Sequence, residues 1–372
     1  MHRKIFLNYA SQAWVAIMGV IFVPIYIRYL GAEAYGLIGF FTAISIFLHT
    51  LSMGIVPVLT REMTKIRDGE VQDAQDVLDL KKTFEYMSIF FAFLLIIVFY
   101  FLSDLIAIKW LNPDNLSTLV VSNSIKIMGI IISIRLIEAI YRSSLIGLGK
   151  IDSFAKVTAF FATLRGIGAI FVLHLTNGSI LLFFAWNLTT TFLTICILRY
   201  LYYLEIKDIN IFPKFGLNSL LNVKAFALGM MVVSLSSSIY VQVDKFILSS
   251  MMPLSEYGAY IIAANLAGLI FLTISPLTQA IFPELSKFYF DDNEKEFNNL
   301  FIWSVRLVTI LSSILGATFV VFSKDILIIW TGNMDLMNGL VYIFITLSIS
   351  SILNGLSWVP QQAQFSISKT NP

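Results

Sequence analysis

The chain has 372 residues, of which 58% are hydrophobic and only 13% charged, with a net charge of +2 and a mean hydropathy of +0.82. A water-soluble globular protein carries about 45–50% apolar and about 25% charged residues, so this chain could not cover its surface against water; the missing solvent is lipid. The near-neutral charge excludes a strong basic field for nucleic acid, and the single cysteine, Cys196, excludes an intrachain disulfide and reads as a small buried hydrophobe.

A helix needs about 20 mostly apolar residues to cross the hydrocarbon core. Ten windows qualify in chain order: 5–30, 37–59, 83–102, 119–148, 154–175, 180–203, 225–251, 259–282, 300–322 and 340–359. Met1, His2, Arg3 and Lys4 before an apolar run resemble a secretory signal, but the run continues to Leu30 without a clear small-residue cleavage site, so it reads as a retained first span. Internal Pro24, Pro57 and Pro276, with Gly, Ser and Thr, suit bends and close packing in a membrane bundle.

Lys and Arg in the connections set the orientation. The N-terminus and the even-numbered connections hold fifteen cations (Arg3, Lys4, Arg61, Lys65, Arg67, Lys81, Lys82, Lys150, Arg199, Lys207, Lys214, Lys224, Lys287, Lys295, Lys369) and the odd-numbered ones two, Lys109 and Lys324. The N-terminus is therefore expected in the cytoplasm. The acid-rich stretch 61–82 carries Asp68, Glu70, Asp73, Asp76 and Asp79, while Val71, Val77 and Leu78 have helical spacing; it is expected to form a short surface helix with a solvated charged face.

Sliding the sequence against itself by 222 residues produces a match. Tyr35 and Gly36 fall on Tyr257 and Gly258; without a gap, Glu62 falls on Glu284, Thr64 on Ser286 and Lys65 on Lys287. Residues 104–110 resemble 325–330, and 147–150 align with 366–369 at a shift of 219. Four landmarks in one order imply two pseudo-symmetric helical lobes related by an axis along the membrane normal: an N-terminal lobe over 1–208, a cytoplasmic linker over 209–222 and a C-terminal lobe over 223–372. Lys369 corresponds to Lys150, after which the first lobe has two more windows. The fold class is thus an all-α polytopic membrane protein with ten of an expected twelve transmembrane helices.

The segment Tyr29, Leu30, Gly31, Ala32, Glu33, Ala34, Tyr35, Gly36 resembles a signature of Wzx-type O-antigen and polysaccharide repeat-unit flippases, within the multidrug/oligosaccharidyl-lipid/polysaccharide (MOP) exporter superfamily. Asp244, Lys245 and Phe246, then Tyr257 to Tyr260, Pro276, Gln279, Ala280, Phe282 and Pro283 are similar to its second-lobe pattern. The resemblance implies two lobes rocking about a central cavity. They would move an undecaprenyl-pyrophosphate-linked oligosaccharide from the cytoplasmic to the periplasmic leaflet of a bacterial inner membrane. It implies membrane lipids as surroundings, a polysaccharide polymerase and chain-length machinery as partners, no nucleic acid, and no cofactor beyond a coupling H⁺ or Na⁺.

Charges inside the bilayer are expensive and usually face a cavity or a partner. In the fourth window, Arg135, Glu138 and Arg142 are spaced i+3 and i+4 and share a face, with Lys126 near the same stripe; the fifth adds Arg165 and the ninth Arg306. Lys126, Arg135, Arg142 and Arg165 are the candidate cationic cavity for a pyrophosphate, whose oxygens suit guanidinium forks. Glu138 is the supporting ion pair; the plainer alternative is that it only neutralises buried charge. Asp244 is the candidate coupling-ion site against a rival reading as a local ion pair, for which Lys245, about 100° round the helix, is a poor partner. Glu62, Lys65, Glu284 and Lys287 form a candidate gate. His49 and His174 stand isolated, with no metal-ligand spacing.

Two enzyme readings lack their residues: a polymerase would want a large periplasmic loop with Arg, and an acyltransferase paired His and Asp. A drug/cation antiporter would favour carboxylates in its lobes. A lipid II flippase would share the cationic cavity but carries helices beyond twelve.

Overall fold

In a computed structural model of the chain, residues 2–67, 74–207, 213–216, 224–332 and 337–367 are described. The acidic residues Asp68, Glu70 and Asp73, Val71, most of the 209–222 linker and Lys369 lie outside them. The described residues form twelve α-helices: α1 (His2–Ile21), α2 (Val23–His49), α3 (Val56–Arg67), α4 (Ala74–Lys109), α5 (Thr118–Gly147), α6 (Ile151–Leu175), α7 (Ile180–Ile206), α8 (Lys224–Met251), α9 (Leu254–Phe290), α10 (Glu294–Val321), α11 (Ser323–Thr331) and α12 (Met337–Ser366).

Proline and glycine explain where the first windows divide. Phe22, between α1 and α2, keeps helical φ/ψ of −84° and −15° and its carbonyl accepts from Tyr26 N at 3.0 Å. The interruption reflects Pro24, which has no N–H to donate to the turn before it. The true bend is Gly31, at φ 75° and ψ 175°, inside α2; this left-handed φ is open to glycine at little cost. The chain thus runs helically to Leu30, as the 5–30 window expects. A 3₁₀ turn, Thr50–Gly54, then precedes α3, whose second residue is Pro57. Nine helices among the described residues are long and apolar enough to cross a membrane, and Ala10–Ile21 is a shorter apolar helix.

The lipid-facing surface is plain on α4, where Phe90, Phe93 and Phe101 are 64%, 64% and 75% exposed. Aromatic exposure of this extent along one helix is compatible with lipid and not with water. Cys196 is exposed on α7, so it faces outward rather than filling the core.

Packing divides the chain into two compact units, Met1–Gly258 and Ala259–Pro372. In the first, α5 lies against α3, α4 and α7, while α1 packs on α6 and α8 on α2 and the 3₁₀ turn. Serines let α5 serve as this centre: Ser124, Ser133, Ser143 and Ser144 are small, fully buried, and return their hydroxyls to the carbonyl four residues back at 2.7–2.8 Å. Close approach and internal satisfaction are what a helix needs where no water reaches it. In the second unit, Ile270, Ile274, Val308 and Val359 form a core, and Gly316 admits the Ile352 side chain.

The stretch 61–82 corrects one expectation. Ala74 onwards is the start of the 36-residue α4, not a separate surface helix, and Val77 and Leu78 are buried against Leu59, Met63 and Tyr141. Lys81, counted with the loop cations, is 3% exposed.

The internal repeat has a direct structural trace. A Cβ on Gly36 would lie 2.6 Å from Leu254 O, and one on Gly258 would lie 1.9 Å from Ala32 O. Residue 32 is the repeat mate of 254 and residue 36 that of 258, so each contact is the image of the other, as a two-fold relation demands. Tyr35 and Tyr257 beside them are 2% and 0% exposed. Because the obstacle is backbone, Gly258→Ala is expected to lower the yield of monodisperse protein sharply on size-exclusion chromatography. Gly229→Ala, which meets nothing within 4 Å, should be neutral or stabilising by up to about 1 kcal/mol.

Candidate functional site

Thr42, Ser45 and His49 on α2 recur at i+3 and i+4 and so lie on one face; Ile132, Arg135 and Leu136 do the same on α5. Between these faces is a cavity of ≈ 400 Å³, whose lining also includes Phe41 and Ile46. The Arg135 guanidinium lies 5.4 Å over the Phe41 ring, which holds the cation without neutralising it. Ser45 Oγ is buried with no hydrogen-bond partner, while Thr42 Oγ1 donates to Ile38 O at 2.9 Å. Among the described residues, no acidic side chain lines the cavity.

His49 is not isolated. Its Nε2 lies 2.9 Å from Arg142 Nη2. A guanidinium only donates, so Nε2 accepts, and the ring carries its hydrogen on Nδ1. Arg165, from α6, donates through Nε to Thr190 Oγ1 at 3.4 Å, and its carbonyl takes the indole N–H of Trp186 at 3.1 Å.

Arg135, Arg142 and Arg165 thus sit on two neighbouring helices, and the Glu138 carboxylate exerts its charge on all three. It does so at a distance: Glu138 makes no ion pair within 4 Å of any of them, unlike the direct pairing expected from spacing. One remote carboxylate leaves a net positive field at the cavity. Lys126 is elsewhere, 5.2 Å over the Tyr100 ring; nine residues of helix put it about 13 Å along the axis from Arg135.

The other candidates separate. Lys245 Nζ is 3.2 Å from both Asp244 oxygens, so a long flexible stem overcomes the 100° between their Cβ directions. Glu62 binds Arg61 at 2.7 Å and Lys65 at 2.6 Å. Burial by itself raises this carboxyl, but the hydrogen bonds from Lys65 and Arg61 more than offset it and hold it below the usual carboxylate range. Its repeat mates Glu284 and Lys287 are both exposed and form no ion pair with each other within 4 Å. Arg306 is also exposed.

Sequence reasoning missed a second charged cluster. Lys81 Nζ is 2.7 Å from Glu85 Oε2 and 4.5 and 4.4 Å from the Tyr141 and Tyr202 ring centres. Tyr141 donates its hydroxyl to Glu85 Oε1 at 2.5 Å. The i,i+4 spacing of Lys81 and Glu85 at the edge of an apolar window was the available signal.

The family model for "Polysaccharide biosynthesis protein" matches residues 1–289. A multidrug resistance MATE transporter of the MOP superfamily in an inward-facing conformation superposes with a TM-score of 0.74, at 13% identity, over 95% of this chain and 81% of that one. An outward-facing MATE transporter superposes at 0.61, with 12% identity, over 98% and 80%. A MOP superfamily transporter from Pyrococcus furiosus Vc1, described as having a binding pocket of reverse polarity, superposes at 0.58, with 14% identity, over 98% and 85%. No curated protein matches the chain by sequence. At such identities the superpositions carry the fold, and the family model carries the membership: the chain belongs to the polysaccharide biosynthesis protein family, on a MATE-like fold.

Proposed function

We propose that the protein is a flippase for an undecaprenyl-pyrophosphate-linked oligosaccharide, an O-antigen or similar repeat unit. It carries this substrate from the cytoplasmic to the periplasmic leaflet of a bacterial inner membrane by alternating access between lobes 1–208 and 223–372. The observation that carries the reading is the ≈ 400 Å³ cavity lined by Arg135 and the Arg142-bound His49, with no carboxylate of the described residues on its wall. A diphosphate entering it would exchange hydration for guanidinium donors, and the low surrounding dielectric strengthens that exchange. The distribution of connection cations, fourteen to two once the buried Lys81 is set aside, supports a cytoplasmic N-terminus.

A drug/cation antiporter is the second reading, favoured by the MATE-like fold. Its ligands would need acceptors where this cavity offers Arg135. The reversed pocket polarity of the Pyrococcus furiosus transporter supports treating pocket charge as the variable that sets ligand class on this fold. Asp244 remains the candidate coupling-ion position, with Lys245 as the cation an incoming ion would displace.

Deleting the gene in a strain that makes surface polysaccharide is expected to remove that polysaccharide and to trap lipid-linked units in the cytoplasmic leaflet. Complementation should restore both. Unchanged surface polysaccharide with no trapped units would overturn the proposal.

A further inference from the structure

The connection between α4 and α5 does more than join two helices. The buried Glu33 carboxylate accepts the backbone N–H groups of Asp114 at 2.7 Å, Asn115 at 3.0 Å to each oxygen, and Leu116 at 3.1 Å. The loop is thereby fixed to α2. From that platform it reaches the start of α9: Asn112 O accepts Leu254 N at 3.2 Å, and Asp114 Oδ2 accepts Ser255 N at 3.3 Å and Ser255 Oγ at 2.5 Å. Trp110 Nε1 also donates to Ser249 Oγ, at 2.9 Å, at the end of α8.

Glu33 and Ser255 are 222 residues apart, the period of the repeat, so two equivalent positions of the two halves converge on one loop residue. The glycine crossing of Gly36 and Gly258, three residues further along each helix, brings the two helix starts close enough for this.

The two attachments differ in what breaking them costs. Releasing Glu33 would strand a carboxylate that is 8% exposed, a penalty of charged desolvation with no replacement partner. The Asp114–Ser255 contact is exposed, so water replaces each partner on release. The loop therefore stays with α2, and the joint that opens is the one to α9, where Asp114–Ser255 is the side-chain contact and the Leu254 N to Asn112 O bond parts with it.

We propose that Asp114 is a positioning residue for transport: with Ser255 it latches the loop end of the first unit shut, and the latch must release before the cavity opens toward that side. This rests on reading the chain as an alternating-access transporter, and the test reads access as well as export.

The experiment uses the full chain with Cys196→Ser as background. Ser45→Cys places a reporter thiol in the cavity, and an impermeant thiol reagent is added from the loop side of sealed vesicles. Asp114→Ala and, separately, the milder Ser255→Ala are expected to speed labelling roughly tenfold, the shift one charge-assisted hydrogen bond supports. In a second chain without the reporter, Asp114→Cys with Ser255→Cys is bridged by a short thiol cross-linker. Bridging is expected to stop polysaccharide export and reductive release to restore it, which controls for folding.

Unchanged labelling in both single variants, or undiminished export by the bridged protein in a strain where deletion abolishes export, would overturn the latch. Labelling needs no substrate, so a latch that controls access in a strain whose polysaccharide is unaffected would sink the flippase reading and leave this one standing.

Discussion

Arg135→Ala is expected to abolish or severely reduce export at wild-type expression. Among the described residues Arg135 is the one arginine on the cavity wall, and no carboxylate of theirs pairs with it within 4 Å. Removing it should weaken binding of a diphosphate by about 2 kcal/mol or more, roughly thirtyfold. The same isolation predicts that the protein stays folded, because no partner is left with an unpaired buried charge. Arg135→Lys keeps the charge but loses the planar fork and should be intermediate. Arg165→Ala should reduce export less, since Arg165 acts from a second helix and also ties α6 to Thr190 of α7. The measurement is surface polysaccharide per unit of membrane-inserted protein; normal export by Arg135→Ala would remove the cavity from the transport path.

Glu85→Gln is expected to destabilise the first unit by about 3–5 kcal/mol, the cost of breaking a buried ion pair from one side. Lys81 and Glu85 side chains are 4% and 6% exposed, so solvent screening does not soften this figure. The loss would leave the Lys81 ammonium without a counter-charge among the Tyr141, Tyr202 and Tyr203 rings and would weaken the hydroxyl bond that joins α5 to α4. A fall in Tm of roughly 5–10 °C in detergent would register it. Lys81→Met with Glu85→Gln removes both charges and should recover most of the loss, because well-packed neutral groups replace buried pairs at little cost. An unchanged Tm for Glu85→Gln would show that the pair contributes nothing net.

Single positions show how far local pattern reaches. Gly31 was legible as a break because a spanning run ended there and a glycine followed. The arginines on α5 were legible as neighbours because spacing on one helix is geometry that sequence carries. What the same spacing could not supply was distance: Glu138 stays beyond 4 Å of the arginines it was expected to bind, whereas Lys245 reaches Asp244 despite an unfavourable helical offset, and rotamer choice decides both. His49 looked isolated because its partner, Arg142, is 93 residues away. Lys81 looked like a loop cation because nothing local announces that Tyr141 and Tyr202 will enclose it.

The sequence by itself determined that the chain lies in lipid, that its two halves carry matching landmarks 222 residues apart, and in outline which runs are apolar enough to cross; nine described helices meet that measure where ten windows were expected, the first window yielding only the short Ala10–Ile21. Each of these follows from a single helix satisfying its own backbone in hydrocarbon, or from direct comparison of one half with the other. Only the tertiary structure decided which side chains meet. It put His49 and Ser45 beside Arg135, seated the 110–117 loop on Glu33, and crossed Gly36 against Gly258. Those contacts join residues tens to hundreds of positions apart on helices whose rotation and depth are set by packing against neighbours, and hydropathy is blind to both.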